Sequence, residues 1–268
     1  MTTSIQYRLL NLSQAGALVV LAVGCSKARA PEPAPGAMAS AAPSMTSAAA
    51  AMVAAPAGSS SAPDFKISPP MPLGAPAANR VGVLAPGTGI PVGQTVPEAR
   101  ATDLEGKEVA LSELYAKGPV LLAFYRGGWC PFCNTEIHSM VEAYPEYQKR
   151  GVTPVAVSVD QVDAAAKMHA TYAIPFPVLS DSDAKVLEAF HVVKTVEGEE
   201  LAKMKGFGVD LEHYSGKAHH QIAIPSLFLI DQKGVVRWAH SDPDFKVRPS
   251  TAQILSAIDA AQLGGAKK

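Results

Sequence analysis

The amino-acid sequence predicts an α/β domain in which helices cover both faces of a central sheet. Two continuous apolar runs, 119–125 and 152–159, are typical of strands that are buried on both sides. Between them, residues 131–149 carry apolar side chains at helical spacing, which predicts an amphipathic helix. Strands that alternate with helices in this way build a sheet covered by helices.

The remaining elements follow from local patterns. Two short runs around Gly106 predict an N-terminal hairpin. Residues 192–219 lose the apolar periodicity, which indicates an insertion before the last hairpin. Ser250 and Gln253 form a capping-box pair at the start of a closing helix. In chain order, the sequence predicts a hairpin over 101–109, a helical turn over 111–114, a strand over 119–125, a helix over 131–149, a strand over 152–159, a helix over 161–172, a strand over 177–179, a helix over 183–190, the insertion, a strand over 226–231, its partner over 235–239, and a helix from 250.

The composition changes sharply along the 268 residues. From 26 to 91, Ala, Pro, Ser and Gly dominate, and a stretch with so little apolar surface does not offset the entropy of ordering. We therefore predict a disordered linker over 26–91, one globular domain over 92–263 and a flexible tail over 264–268. The net charge of −1, with no basic patch interleaved with aromatic residues, argues against nucleic-acid binding.

Residues 1–25 have the features of an export signal, because a weakly positive start precedes an apolar stretch that is short for a membrane span. The end of this stretch, Leu21–Cys25, resembles the lipobox of bacterial lipoproteins, although Ala22 stands where leucine is usual. The resemblance implies that Cys25 carries the lipid. Cleavage after Ala30 and an uncleaved membrane anchor are the alternatives.

A lipidated Cys25 gives these features one explanation. It accounts for the odd number of cysteines, three in the chain. The predicted linker then acts as a flexible tether between a membrane and a folded domain. Ser26 after this cysteine, in place of aspartate, resembles sorting to the outer membrane. We therefore expect an exported protein that is anchored in the bacterial cell envelope, at the outer membrane and facing the periplasm.

Cys130 and Cys133 form the strongest chemical motif, Cys-Pro-Phe-Cys, which follows a predicted buried strand and opens a predicted helix. Unpaired N–H groups and the helix dipole at that position stabilise a thiolate. Cys130 is therefore the predicted nucleophile and Cys133 the resolving thiol, while Pro131 suits the first helical turn. The alternatives are an inert pair and half of a zinc site completed by His219 and His220. We expect neither a metal nor a cofactor.

A resemblance to a known fold lies in three stretches: Phe124–Cys133, Leu227–Asp231 with Gly234, and Pro243–Pro249. They resemble the thioredoxin fold, and more closely its alkyl hydroperoxide reductase/thiol-specific antioxidant (peroxiredoxin-like) branch. The resemblance covers residues 92–262 and implies a central mixed sheet. It also implies that Pro225, just before the strand over 226–231, is a cis-proline packed against the cysteine pair. An ordinary trans turn proline is the alternative.

Two departures from the peroxiredoxin pattern concern peroxide binding. The peroxiredoxin motif Pro-x-x-x-Thr-x-x-Cys has Ala123 and Gly127 at its Pro and Thr places here. In the later strand, peroxiredoxins place an Arg three residues before a Phe. Here Pro225 occupies the place of that Arg. The resemblance implies that in peroxiredoxins this Thr and this Arg hold and polarise the peroxide. Their absence from this sequence therefore argues against efficient peroxide reduction. Arg126 is either a replacement for the missing charge or a solvated surface side chain, and Trp129 is expected to shield the nucleophile.

Two thiol mechanisms fit these residues. In the first, which the branch resemblance favours, Cys130 reduces a hydroperoxide, becomes a sulfenic acid and condenses with Cys133, and a thioredoxin-like donor reduces the resulting disulfide. In the second, the dithiol exchanges with a protein disulfide through a mixed disulfide. A redox-inactive binding module is a third interpretation.

Other polar residues receive structural interpretations. Asp160, Asp181 and Asp183 follow strands or start helices and are predicted to cap them. Glu136 is expected on an exposed helix face, with tuning of the cysteine site as the alternative.

Overall fold

The computed structural model describes residues 63–263, and every strand and helix predicted within the domain has a counterpart in it. The strands are β1 (Arg100–Thr102), β2 (Glu108–Ala110), β3 (Val120–Phe124), β4 (Thr153–Ser158), β5 (Val178–Ser180), β6 (Val193–Thr195), β7 (Gln221–Ala223), β8 (Ser226–Ile230) and β9 (Val236–Ser241). The helices are α1 (Leu111–Tyr115), α2 (Pro131–Glu142), α3 (Tyr144–Lys149), α4 (Val162–Tyr172), α5 (Lys185–Ala189), α6 (Gly198–Gly206), α7 (Leu211–Ser215) and α8 (Thr251–Ala261). A short 3₁₀ turn, Ala78–Arg80, precedes them.

Seven strands form one mixed sheet in the order β2-β1-β5-β4-β3-β8-β9. Strands β3, β4 and β5 run parallel, whereas the other neighbours are antiparallel. Every residue of β3 and β8 is buried, as their continuous apolar sequences predict. Strands β6 and β7 pair separately from the main sheet. Strand β6 and helices α6 and α7 fall within the predicted insertion over 192–219, and β7 follows it. The thioredoxin-like α/β architecture is thereby confirmed.

The helices pack against this sheet, α3 on β4, α4 on β5, α5 on β1 and α8 on β9. Helix α8 begins at the predicted capping box, in which the Ser250 hydroxyl accepts the Gln253 N–H and the Gln253 side chain accepts the Ser250 N–H. These reciprocal bonds satisfy donors that a helix start otherwise leaves without a partner.

The prediction of one continuous helix over 131–149 is wrong. Helix α2 ends at Glu142, Ala143 leaves the helical conformation (φ −87°, ψ 1°), and α3 begins at Tyr144. Pro145 explains the break, because it has no N–H to continue the hydrogen bonding and its ring clashes with the carbonyl four residues earlier. The apolar spacing alone did not reveal this boundary.

The prediction of a disordered linker is wrong for residues 63–91, which pack on the domain. Phe65 and Ile90 are 3% and 7% exposed. The Val83 carbonyl accepts a hydrogen bond from the Ser241 N–H, so the segment also covers part of the outer edge of β9. A few spaced apolar side chains are enough to hold it, and the average composition of the stretch concealed them.

The other predictions for the chain ends fall outside the described residues. They comprise the export signal with Cys25, the linker over 26–62 and the tail over 264–268. Within 63–263, none of the helices is both long and apolar enough to cross a membrane.

Candidate active site

The Cys-Pro-Phe-Cys motif lies where a buried strand turns into a helix. Strand β3 ends at Phe124, a loop follows, and Cys130 is the N-cap of α2 with an extended backbone (φ −93°, ψ 108°). Its side chain makes no capping hydrogen bond, and the N–H groups of the first helical turn favour a negative charge at this position. Pro131 occupies that first turn, where its missing N–H has no cost.

The two cysteine sulfurs are reduced and lie 2.8 Å apart, with the Cys133 thiol donating to Cys130 Sγ. The backbone N–H of Arg126 points at Cys133 Sγ from 3.5 Å. Both cysteine side chains are buried, Cys130 at 1% exposure and Cys133 at 0%. This arrangement places Cys133 where it can attack the Cys130 sulfur with little backbone movement.

The two thiols have opposite acidities. Burial raises the pKa of Cys130, but the hydrogen bond from Cys133 and the guanidinium groups of Arg126 and Arg248 outweigh burial and lower that pKa to about 6. Burial and the neighbouring Cys130 raise the pKa of Cys133 well above its usual value. Near neutral pH the pair therefore holds a thiolate on Cys130 and a thiol on Cys133.

The Arg126 side chain lies within the site. It is 7% exposed, and its guanidinium carbon is 4.9 Å from the centre of the Trp129 ring and 4.2 Å from that of Phe245. Trp129 is itself 6% exposed. The two aromatic rings hold the cation where it lowers the pKa of Cys130. Of the two interpretations that the sequence left open for Arg126, the structure excludes the solvated surface side chain.

Glu136 and Arg248 form a buried ion pair near the cysteines. Arg248 Nε donates to Glu136 Oε2 at 3.1 Å, and the two side chains are 4% exposed or less. The expectation that Glu136 faces solvent is therefore wrong, since it lies three residues after Cys133 on the buried side of α2. Sequence reasoning gave Arg248 no role, because a lone arginine in a segment without periodicity carries little signal.

Asp160 is a second buried acid, and its assignment as a helix cap is wrong. Because β3 and β4 are parallel, the carboxyl ends of both strands meet at one edge of the sheet, and Asp160 follows β4 there. Its Oδ2 accepts the Gly128 N–H at 2.8 Å, inside the loop that carries Cys130. Burial, the largest influence, raises the pKa of Asp160 to about 7. One signal in the sequence could have placed Asp160 near the cysteines. It follows the strand β4, the neighbour of the strand β3 that leads into the cysteine motif.

Gly127 makes the close approach of these groups feasible. Its φ of 144° is a conformation that side chains rarely adopt. A Cβ atom there would lie 2.7 Å from Asp160 Oδ1 and would overlap the Trp129 indole nitrogen. The threonine of the peroxiredoxin motif therefore does not fit at this place.

An N-terminal segment of the described chain lies across the motif. The Ser68 N–H donates to the Gly128 carbonyl at 3.1 Å, and the Ser68 hydroxyl donates to the Trp129 carbonyl at 2.7 Å. Asn134 Nδ2 on α2 donates to both the Ser68 and the Gly128 carbonyls, at 2.6 and 2.8 Å. The segment therefore braces the loop that carries Cys130.

Pro225 lies at the same edge of the sheet as the cysteine loop. It is buried and directly precedes β8, whose Ser226 pairs with Phe124 of β3. A proline at the start of a strand removes no hydrogen bond from the ladder. Its cis peptide bond and its packing against the cysteine pair stay predictions.

The remaining candidates lie in structural positions. Asp181 accepts hydrogen bonds from two backbone N–H groups of α5, which confirms its predicted capping role. Asp183 instead forms an exposed ion pair. His219 bonds to a backbone carbonyl at 2.8 Å and His220 pairs with Glu212 at 2.7 Å. Within the described range, neither histidine belongs to a cluster of three or more side chains able to hold a metal.

Comparison with known sequences places the chain in a family. Residues 92–239 match the AhpC/TSA family. Thiol-disulfide oxidoreductase ResA from Bacillus anthracis is 38% identical over 102 residues, which are 38% of this chain and 58% of the relative. The protein of the same name from Bacillus subtilis (strain 168) is 37% identical over 101 residues, which are 37% of this chain and 55% of the relative. The chain thus spans less than two thirds of these curated relatives.

Solved structures with the same fold include two from bacterial proteins. Peroxidoxin BcpB from Mycobacterium tuberculosis superposes with a TM-score of 0.51 at 22% identity, covering 64% of this chain and 96% of that one. Reduced Prx3 from Vibrio vulnificus, in complex with H2O2, gives a TM-score of 0.52 at 20% identity, covering 63% and 99%. At such identities the likeness shows the fold alone. The family match covers more than half of the chain, and this protein therefore belongs to the AhpC/TSA family.

Proposed function

We propose that this protein is a thiol-disulfide oxidoreductase that reduces protein disulfides through Cys130 and Cys133. The observation that carries the proposal is the pairing of a low-pKa thiolate with a protonated thiol 2.8 Å away, since disulfide exchange needs one nucleophile and one resolving group. The curated relatives named thiol-disulfide oxidoreductase support this choice over peroxide reduction.

In the proposed reaction, the Cys130 thiolate attacks one sulfur of a substrate disulfide. The substrate S–S bond breaks, one substrate sulfur leaves as a thiolate, and the other stays bonded to Cys130 as a mixed disulfide. Cys133 then loses its proton and attacks Cys130 Sγ, which forms the Cys130–Cys133 disulfide and releases the second substrate sulfur. The substrate gains two electrons and the cysteine pair loses two, and an external thioredoxin-like dithiol restores the pair.

Hydroperoxide reduction is the second candidate. Membership of the AhpC/TSA family and the lowered pKa of Cys130 favour it, because a thiolate also attacks a peroxide oxygen. The backbone at Gly127 argues against it, since it leaves no space for the threonine that the peroxiredoxin resemblance assigns to peroxide binding. Arg126, packed against two aromatic rings, and Arg248 are the cations of the described chain that act on Cys130, and a peroxide at this site would meet them.

The test compares both activities in the same preparations of the full chain, each with Cys25→Ser to remove the third thiol. We expect the reduced protein to cleave a protein disulfide and to consume hydroperoxide slowly or not at all. Cys130→Ser should abolish activity, and Cys133→Ser should accumulate a mixed disulfide detectable by mass spectrometry. Fast peroxide consumption, with a sulfenic acid on Cys133→Ser protein and no disulfide reduction, would overturn the proposal. An unreactive Cys130 would favour a binding module.

We further propose that the protein is exported and anchored in the bacterial envelope by a lipid on Cys25. The lipobox-like end of the apolar N-terminal stretch and the following Ser26 support this placement. Expressed in a bacterium, the chain should fractionate with membranes, and Cys25→Ser should release it. Membrane association that is unchanged in Cys25→Ser but lost after deletion of residues 1–25 would point to an uncleaved anchor.

A further inference from the structure

The proposed nucleophile lies beneath the protein surface. Cys130 is 1% exposed, which leaves a protein disulfide no direct path to its sulfur. Disulfide exchange requires the thiolate to reach a substrate sulfur, so its rate depends on access as well as on acidity. The reaction proposed above therefore requires some part of the protein to move away from Cys130.

Phe245 reaches the cysteine motif from a remote loop, between β9 and α8. Its ring packs edge-to-face on Phe132, two residues after Cys130, with the ring centres 5.5 Å apart. The guanidinium carbon of Arg126, four residues before Cys130, lies 4.2 Å from the centre of the same ring. Both contacts are individually modest, and Phe245 is only half-buried, so the ring can leave this position at small cost.

An N-terminal clasp, residues 68–74, connects the Phe245 loop with the cysteine loop. Its first residue forms the hydrogen bonds to the cysteine loop that are described above. Its last residue, Gly74, donates its N–H to the Lys246 carbonyl at 2.9 Å and accepts the Arg248 N–H at 3.0 Å. The clasp thus ties the backbone on the far side of Phe245 to the loop that carries the nucleophile.

The clasp can open while the sheet stays folded. None of its seven residues is fully buried, and a segment with few buried contacts and exposed backbone hydrogen bonds opens locally at low cost. Pro69, Pro70 and Pro72 restrict its backbone in the released state as well. The clasp therefore loses little entropy when it binds again.

We propose that Phe245 is a gate over Cys130 and that the clasp holds this gate closed. While the clasp is bound, movement of the Phe245 side chain admits small reagents, whereas a protein disulfide needs the clasp to release the whole loop. Phe245 is thus a specificity-determining residue, because it sets the size of disulfide that reaches Cys130. This role rests on the proposed function, but the opening of the gate can be measured without it.

Two maleimides of different size measure gate opening in the full chain with Cys25→Ser. N-ethylmaleimide and a maleimide on a polyethylene glycol chain share one reacting group, so a change in the acidity of Cys130 affects both rates alike. Their rate ratio, with the adduct located by peptide mapping, reports access. Gly74→Pro deletes the N–H that bonds Lys246 and should speed the large reagent about fivefold relative to the small one. Gly74→Ala is the matched control, because it keeps the N–H and its Cβ would lie 3.5 Å from Val247, an ordinary contact.

Phe245→Ala removes the gate itself and decides the question if circular dichroism shows that Gly74→Pro does not fold. It should also speed the large reagent, whereas Phe207→Ala, at a ring 86% exposed in the insertion, should not. An unchanged size ratio in the folded variants overturns the gate, whether or not the protein reduces insulin disulfides. If the ratio changes as expected but the opened variants reduce no insulin, the proposed function fails and the gate stands.

Discussion

Replacing Arg248 by methionine is expected to destabilise the protein by about 3–5 kcal/mol, because it leaves Glu136 as an unpaired buried acid. The two side chains are 2% and 4% exposed and 3.1 Å apart, so water has no access to replace the guanidinium. Methionine retains much of the unbranched apolar stem and therefore isolates the loss of the charge. A domain has only about 5–15 kcal/mol of stability in total, so the loss is large.

Urea unfolding of four proteins measures this effect: the wild type, Arg248→Met, Glu136→Met and the double variant. We expect the double variant to recover most of the loss, because it leaves no buried charge and fills the volume with apolar groups. A loss below about 1 kcal/mol in Arg248→Met is typical of an exposed pair and would refute the reasoning. A double variant no more stable than Arg248→Met would refute it as well.

The pH dependence of the same loss is a further check. Burial raises the pKa of Glu136 even though Arg248 opposes the shift, so the pKa should rise further once Arg248 is removed. An acid whose folded-state pKa exceeds its unfolded value binds more protons when folded, so its stability contribution is complete below the unfolded pKa of about 4.3 and is lost as the pH rises through the folded pKa. The penalty in Arg248→Met should therefore shrink in acid, and a pH-independent penalty would contradict this.

Three further predictions test other parts of the site and fold. The rate at which iodoacetamide alkylates Cys130 should rise with pH through a midpoint near 6, the pKa of this thiol. Arg126→Met should move the midpoint upward, because the guanidinium lowers the pKa of Cys130. An unmoved midpoint would show that Arg126 does not act on this thiol. A protein beginning at residue 92 should unfold at a lower urea concentration than one beginning at 63, since loss of the buried Phe65 alone lowers the free energy of unfolding by about 1.5–3 kcal/mol. Equal unfolding midpoints would show that residues 63–91 do not stabilise the domain. Ser250→Ala should cost about 1 kcal/mol through loss of the α8 cap, as thermal or urea unfolding would detect, while a cost near zero would deny the capping box its role.

Local patterns predicted most elements of the fold because each pattern has a local physical cause. The apolar run before the cysteines became β3 since a strand in the middle of a sheet is buried on both faces. The capping box at Ser250 works within one helical turn. The break between α2 and α3 was also readable, because Pro145 removes a helical hydrogen bond wherever it stands.

The sequence by itself determined the proposed reacting atoms, since the spacing of Cys130 and Cys133 and their place at a helix start depend on neighbours in the chain. Only the tertiary structure decided what surrounds them. Asp160 and Arg248 lie far from the cysteines in the chain. Whether such a group is a cap, a surface charge or a buried partner depends on burial, which no local pattern encodes. The same holds for residues 63–91, because the burial of their few apolar side chains depends on the domain surface on which they pack.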